Sequence, residues 1–398
     1  MHQHEPTPCR RPRARGARLL PIRSGVVLAL GALTFVASAC GSSDDTGTSS
    51  TADQQQYDTT AVTAGAGWLD DQVVDGAVHN DQYDIDDYGL SIDVVLALDA
   101  VDEQPDTVGA VSDQVAKHVT EYTSPGYGTV TSAGGTAKAV VMAQTAGADP
   151  TSYGGKDLVA QLEDTVADKG PIRGRVQDVL EKGQSDAVDY ANVIGQSYAV
   201  MGLDAAESDR AAQATDFLLA QQCKGGWFRL DFTQDTKASD QSCDGDSASK
   251  PDLDATAFAV RALSEDDSPE VASHVDDAVA WLEEQQAADG SFGGGTASTT
   301  ANSNTTGLAG WVLGDAGETA AAEQAAAWVF QHQVPDCKQY DASDVGAIAY
   351  DDASLKAAAD KGITVKTADQ FRRASSEALP SLQWLSTGET EGQKSGSC

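Results

Sequence analysis

The chain has 398 residues, room for one large domain or two medium ones with a sizeable core. Asp and Glu outnumber Lys and Arg 61 to 26, for a formal net charge of −35, and six of those arginines (Arg10, Arg11, Arg13, Arg15, Arg18, Arg23) fall in the first 40 residues beside one acid, Glu5. A body this acidic repels phosphate backbones and anionic headgroups, which argues against nucleic acid as a partner and against an electrostatic membrane dock.

Residues 1–24 are Arg-rich and irregular, and residues 26–37 form an apolar run. That run is short for a membrane span and suits the core of a signal peptide. It leads into Ala37-Ser38-Ala39-Cys40. Small residues before a cysteine resemble the lipobox of bacterial lipoproteins, although Ala37 stands where Leu is usual, and Ala37-Ser38-Ala39 also suits ordinary signal peptidase. The resemblance implies that residues 1–39 are removed and that Cys40 is acylated as the first mature residue. Residues 40–64, rich in Gly, Ser, Thr, Asp and Gln, have no periodicity and read as a flexible tether to a domain at 65–398. The expected location is the outer face of a bacterial plasma membrane, with attachment through lipid only. Export also gives Cys223, Cys243, Cys337 and Cys398 an oxidising compartment, in which they read as two disulfides, Cys223–Cys243 and Cys337–Cys398. Zinc is disfavoured, because no Cys-x-x-Cys occurs and only His79, His118, His274 and His332 follow Cys40.

From residue 87 onward the chain repeats itself. Segments beginning at Asp87, Ser132, Asn192, Asp252, Asn302 and Asp344 superpose without gaps, at intervals of 42 to 60 residues. Every first position is a strong helix N-cap former. The twelfth holds Leu98, Ala143, Leu203, Leu263, Leu313 and Leu355, with small residues between, as in helices packed on nearly every side. The seventh holds Asp93, Lys138, Tyr198, Phe258, Leu308 and Tyr350, and Asp93 with Lys138 is an expected ion pair at equal depth on adjacent helices. A second, amphipathic helix precedes several of these: Phe217-Leu218 runs through Gln222 into Gly225-Gly226-Trp227, and Trp281-Leu282 through Gln286 into Gly290-Ser291-Phe292. Trp68-Leu69 with Gln72, and Trp328-Val329 with Gln331 and Gln333, are weaker copies. Helix pairs of this length cannot bury their apolar faces alone and are expected to stack and close.

Aromatic-Leu-x3-Gln followed by Gly-x-aromatic resembles the QW motif of the terpenoid cyclase and protein prenyltransferase superfamily. The resemblance covers residues 65–385 and implies an all-α α6/α6 toroid, six inner helices ringed by six outer ones. It gives Gln222 with Trp227, and Gln286 with Phe292, structural roles as helix-capping pairs.

Each use of that ring makes a demand on the sequence. A prenyltransferase needs an Asp/Cys/His zinc site, which scarce His and paired Cys do not supply. A class II cyclase needs an Asp-x-Asp-Asp acid; Asp84-Ile85-Asp86-Asp87 matches the string, but only Asp87 reaches a helix start. Asp252-Leu253-Asp254-Ala255-Thr256-Ala257 has the family context with Ala255 replacing the last acid, so Asp252 and Asp254 read first as caps and only weakly as catalytic groups. Aromatic content of 6% is low for a cavity that stabilises carbocations. The acids between Asp231 and Asp246 lack an ordered calcium pattern and read as a solvated loop, and Cys223, followed by Lys-Gly-Gly, is no thioester motif. The repeat style looks closer to the cobalamin carriers of the transcobalamin and intrinsic-factor group, without their β-domain. The expectation is a non-catalytic binding module for a small molecule, a corrinoid for example, or for a membrane or surface protein, with no metal or resident cofactor. Its ligand rim comprises Asp87, Asn192, Asp252, Asp254, Asn302, Asn304 and Asp344, and faces a neutral or cationic ligand. The alternative is a toroid enzyme, a degenerate terpene cyclase or a polysaccharide lyase with Tyr198 or Tyr350 as base.

Overall fold

The computed structural model describes residues 57–388, apart from 127, 184–187 and 296–298. They all lie in the unit Gln56–Cys398. The expected signal peptide, Cys40 and most of the tether fall outside the described residues, as does Cys398.

The described helices are α1 (Thr60–Asp71), α2 (Tyr88–Ala100), α3 (Pro105–Thr123), α4 (Ala133–Thr145), α5 (Leu158–Glu163), α6 (Val193–Ala205), α7 (Ala211–Leu219), α8 (Leu253–Leu263), α9 (Pro269–Gln285), α10 (Ser303–Asp315), α11 (Thr319–Gln331), α12 (Asp352–Lys361) and α13 (Ala368–Ala378). Short antiparallel strands decorate the loops: β1 (Val73–Val74), β2 (Ala77–Asn80) and β3 (Ile85–Asp86) form one small sheet, β4 (Thr129–Thr131) and β5 (Val179–Leu180) another. Helix α2 packs on α4, α4 on α6, α6 on α8, α8 on α10, α10 on α13, and α13 returns to α2. Outside that cycle, α3 bridges α2 and α4, α5 bridges α4 and α6, α7 backs α6, α9 bridges α8 and α10, and α11 backs α10. None of the described helices is long and apolar enough to cross a membrane.

The inner helices start where their caps are. Asp87, Ser132, Asn192, Asp252 and Asn302 each accept the amide of the residue three places on, at 2.9 to 3.2 Å. At the twelfth position Leu98, Leu203, Leu263 and Leu313 are fully buried, each contributing about 1.5–3 kcal/mol of apolar burial. Like or adjoining positions meet across neighbouring helices, so these helices run parallel and nearly in register. A Cβ on Gly195 would sit 3.2 Å from the Cα of Gly134, and the rings of Tyr198 and Phe258 lie 5.4 Å apart. The fifth position adds a latch. Ser91, Gln196, Thr256 and Thr306 accept the amides of Val78, Val176, Phe228 and Phe292, all at 2.9 Å, and so tie α2, α6, α8 and α10 to the turns before them.

The motif glutamines join outer helices to one another. Gln222 Nε2 donates to Gly226 O and to His274 O of α9, and Gln286 Nε2 to Gly290 O and to Ala321 O of α11. Gln333 Nε2 donates to Gly346 O and Ala61 O, linking the end of α11 to α1. The adjoining glycines are obligatory: Gly226 has φ +90°, and a Cβ there would lie 2.5 Å from Asp277 O. Gln72, by contrast, accepts from Arg372 and caps no neighbouring outer helix.

Two expectations are corrected. Helix α1 begins at Thr60, ahead of the expected boundary at 65, because Ala61, Val62, Gly65, Ala66, Trp68 and Leu69 give it a buried face that its small residues conceal in sequence. The segment starting at Asp344 is not an inner helix. Asp344 closes a single 3-10 turn (Ala342–Asp344) and its carboxylate accepts the Ile363 amide at 2.7 Å. Gly346, at φ +95°, turns the chain away immediately afterwards. The place in the ring is taken by α13, where Ser375 accepts the Ile348 amide at 2.8 Å and so occupies the fifth position of the repeat. Leu382, fully buried, then falls at the twelfth.

The Cys223–Cys243 disulfide forms, with Cα atoms 5.0 Å apart. Cys337 is also disulfide-bonded, and its expected partner Cys398 lies outside the described residues. The acidic loop that Cys223 and Cys243 bracket is more than a solvated run. Arg229, 2% exposed, donates to Gln221 Oε1, Gln241 O, Thr233, Ser249 and Asp246, and so organises the loop from within.

Candidate ligand site on the ring axis

Positions three, seven and ten of an inner helix lie on one face, four and then three residues apart. The seventh position holds Asp93, Lys138, Tyr198, Phe258, Leu308 and, with α13 in the ring, Glu377. Above it, at position three, stand Gly89, Gly134, Ile194, Asp254, Asn304 and Arg373; below it, at position ten, Leu96, Val141, Met201, Arg261, Trp311 and Pro380. Leu96, Val141, Met201, Arg261, Trp311 and Glu377 keep partial exposure although their helices are surrounded by others. That face therefore borders an accessible interior, polar at the N-terminal end and largely apolar at the other.

The middle layer contains the expected ion pair. Lys138 Nζ lies 2.6 Å from Asp93 Oδ1, with side chains 16% and 24% exposed, and also donates to Gly89 O at 3.0 Å. Burial works to lower the Lys138 pKa, but Asp93, helped by the Tyr122 and Tyr198 phenols, outweighs it and the pKa is raised. Burial pushes Tyr198 up to about 12. Glu377 is pushed up to about 8, first by burial and then by the Asp93 and Asp254 carboxylates, against a hydrogen bond with Asn304 and the charge of Lys138. Asp254 is pushed up to about 6 by burial, with Asp252 adding and a hydrogen bond with Thr305 opposing. The Oδ1 atoms of Asp254 and Asn304 are buried without a hydrogen-bond partner. In the lowest layer the Arg261 guanidinium lies 3.9 Å from the Trp311 ring centroid and 5.7 Å from that of Phe258.

The expected rim residues divide into two groups. Asp87, Asn192, Asp252 and Asn302 use a side-chain oxygen to cap their own helices, and Asp87 also meets Arg373 at 2.7 Å. Asp254 and Asn304 are axis-facing and converge with Glu377. Asp344 is away from the ring interior, bonded to the Ile363 amide. Tyr350 is likewise no seventh-position residue; its carbonyl accepts the amide of Ser303, the first residue of α10. Glu377, Arg261 and Arg373 escaped the sequence reading. The signal for Glu377 and Arg373 is Ser375, a small hydroxyl residue at the latch position of a segment with no N-cap. Among the described residues no three His, Cys, Asp or Glu side chains are grouped to hold a metal.

A closed cycle of parallel helices backed by outer helices is the architecture of the α/α toroids. Solved structures of that class match the chain at low identity, which shows the fold alone. A protein from Actinoplanes aligns with a TM-score of 0.54 at 16% identity, over 82% of this chain and 98% of that one. The type II terpene cyclase MstE from Scytonema gives 0.54 at 14%, over 82% and 96%. The unsaturated glucuronyl hydrolase from Bacillus sp. GL1 gives 0.54 at 9%, over 83% and 99%. No protein-family model matches the sequence, and none of the curated proteins does.

Proposed function

We propose that this protein is a lipid-anchored, extracytoplasmic α6/α6 toroid of six helix-pair repeats that binds a small polar molecule in its ring without transforming it. A corrinoid, whose periphery carries many primary amides, is the ligand proposed for the first test; a membrane or surface protein is the other class of partner. The observation that carries the reading is the pair of buried, unpartnered acceptors Asp254 Oδ1 and Asn304 Oδ1 on the axis face. A buried acceptor left unpaired costs about 1–3 kcal/mol, which a ligand N–H would recover. The charges at Asp93, Lys138 and Arg261 suit a polar occupant better than a hydrocarbon chain folding through carbocations. Anchoring through Cys40 rests on the sequence.

A second reading has its own support. Glu377, held at about 8, still carries its proton at neutrality, as general acid catalysis requires, beside a second carboxyl raised to about 6 on the same interior. The experiment is a calorimetric titration of the purified full-length lipoprotein in detergent with cyanocobalamin, beside assays for turnover of squalene and prenyl diphosphates. Saturable binding that is lost in the Asp254→Leu/Asn304→Leu variant supports the module. Cyclisation that disappears in Asp254→Ala, with an unchanged melting temperature, replaces it with the enzyme.

A further inference from the structure

Arg261 differs from Arg175, Arg229, Arg372 and Arg373, the other described arginines whose charge burial works against. Arg175 is paired with Asp189 at 2.8 Å, Arg229 with Asp246 at 3.5 Å, and Arg373 with Asp87 at 2.7 Å and Asp369 at 3.0 Å. Arg372 donates to Gln72 and to His79 O. Among the described residues Arg261 has no carboxylate within ion-pair distance and no hydrogen-bond acceptor, only the faces of Trp311 and Phe258. Stacking on an indole fixes the guanidinium plane and leaves its N–H edges pointing outward. Burial works against the Arg261 charge, and Tyr198, Asp315 and Asp93 offset that only through space, so an arriving oxyanion would supply the direct two-pronged contact that the guanidinium lacks.

Resting on the reading of the ring interior as a binding site, we infer that Arg261 on Trp311 is an oxyanion subsite, and that the ligand is bipolar. Its phosphate or carboxylate meets Arg261, and an amine or primary amide at its other end meets Asp254 and Asn304. The two poles are set by one helix. Asp254 and Arg261 are seven residues apart on α8, so a ligand spans about 10 Å between them at 1.5 Å per residue. Between the poles it passes Tyr198, Phe258 and Leu308, a surface suited to an uncharged middle segment. The other cations of this face, Lys138 in the middle layer and Arg373 above it, are taken by Asp93 and by Asp87 with Asp369 and do not compete for the anion. The mouth of the ring thus favours hydrogen-bond donors, and the deeper layer selects for negative charge.

The test uses the full-length lipoprotein in detergent and three probes of matched length: 6-aminohexyl phosphate, 8-aminooctanoate and hexyl phosphate. Calorimetry is expected to show saturable binding of the first two, with the stronger naming phosphate or carboxylate as the natural group. Arg261→Met should weaken both tenfold or more, and Arg261→Lys, which keeps the charge without the fork, should fall between. Asp254→Asn should weaken 6-aminohexyl phosphate and leave hexyl phosphate unchanged. Melting curves and circular dichroism on each variant keep folding separate from binding, and Trp311→Phe retains a stacking face if Arg261→Met fails to fold. Equal binding of the probes by wild type and Arg261→Met, or no binding of any probe by the folded wild type, overturns the subsite. If cyanocobalamin still binds in that case and Asp254→Leu/Asn304→Leu abolishes it, the ring reading stands without the oxyanion subsite.

Discussion

Glu377 gives the sharpest handle on the ring interior. Replacing it with Gln preserves its shape and its capacity to meet Asn304, and removes only its titration. In the folded chain the carboxyl is pushed from an ordinary 4.5 up to about 8, chiefly by burial and next by Asp93 and Asp254. Between those two values the native state holds a proton that the unfolded chain has released. The unfolded state therefore binds fewer protons, and stability falls as pH rises, by about 1.4 kcal/mol per pH unit for this one group. The contribution is fully present below the unfolded value and is gone once pH has passed through the folded value. Across the whole window it is on the order of 5 kcal/mol. Asp254, pushed up to about 6, adds a slope of the same sign at lower pH, so the clean interval lies above its own titration. Urea unfolding of wild type and Glu377→Gln at half-unit steps from about pH 6.5 to 7.5 is the assay. The variant should gain about 1.4 kcal/mol on the wild type over that interval. Stability curves that stay parallel with pH would mean that Glu377 is already ionised in the native protein, and the account of the ring interior as a desolvated acid site would be refuted.

Asn192→Ala should cost about 1 kcal/mol of unfolding free energy in denaturant titrations, the usual loss for one cap, and Asn192→Asp should restore most of it. Thr256→Val strands the Phe228 amide and should cost about 1–3 kcal/mol, whereas Thr256→Ser should cost much less. The double change of Cys223 and Cys243 to Ser should lower stability by about 3 kcal/mol for a loop of this size, read from unfolding midpoints. Cys40→Ser should release the protein into the medium or block its processing; a wild-type mature protein that is soluble, with no lipid on its N-terminal cysteine, rejects the anchor.

The ring was legible in sequence wherever a helix began with a side chain that could cap it. Asp87, Ser132, Asn192, Asp252 and Asn302 combine a local signal, the cap, with a distant one, a buried apolar residue three turns on. The last inner helix lacks the first signal. Thr367 makes no side-chain cap, and the position matching Asp252 is Phe371, already inside α13. Asp344 offers both signals falsely, because Leu355 follows at the right distance while the intervening chain is held as a turn by Gly346 and by the Ile363 amide. Losing α13 lost Glu377 with it. Arg261 was hidden for a different reason: an arginine late in a helix reads as favourable charge at the C-terminus. Only the position of Trp311 at equal depth on α10 shows that it is stacked. Asp254 and Asn304 were found because they sit two residues after caps, but their unpaired oxygens depend on what surrounds them in three dimensions.

The ring is sealed where its two ends meet. Asp58 donates to Leu385 O, Tyr57 pairs with Ser386, Gln333 reaches Ala61 O, and Arg373 reaches Asp87 across a separation of 286 residues. Bringing together points so far apart along a chain costs about 5 kcal/mol of closure entropy before any contact is made. No single hydrogen bond of the seam returns that much, so closure happens only when α1, α13 and the chain after α13 dock together. A growing chain that has not yet reached α13 is an open crescent, with the flanks of α2 and α10 bare. Folding is therefore last to finish at the junction of the first and last helices, and a break in the chain within an outer loop, with the old ends spliced together, should speed closure without changing the finished ring.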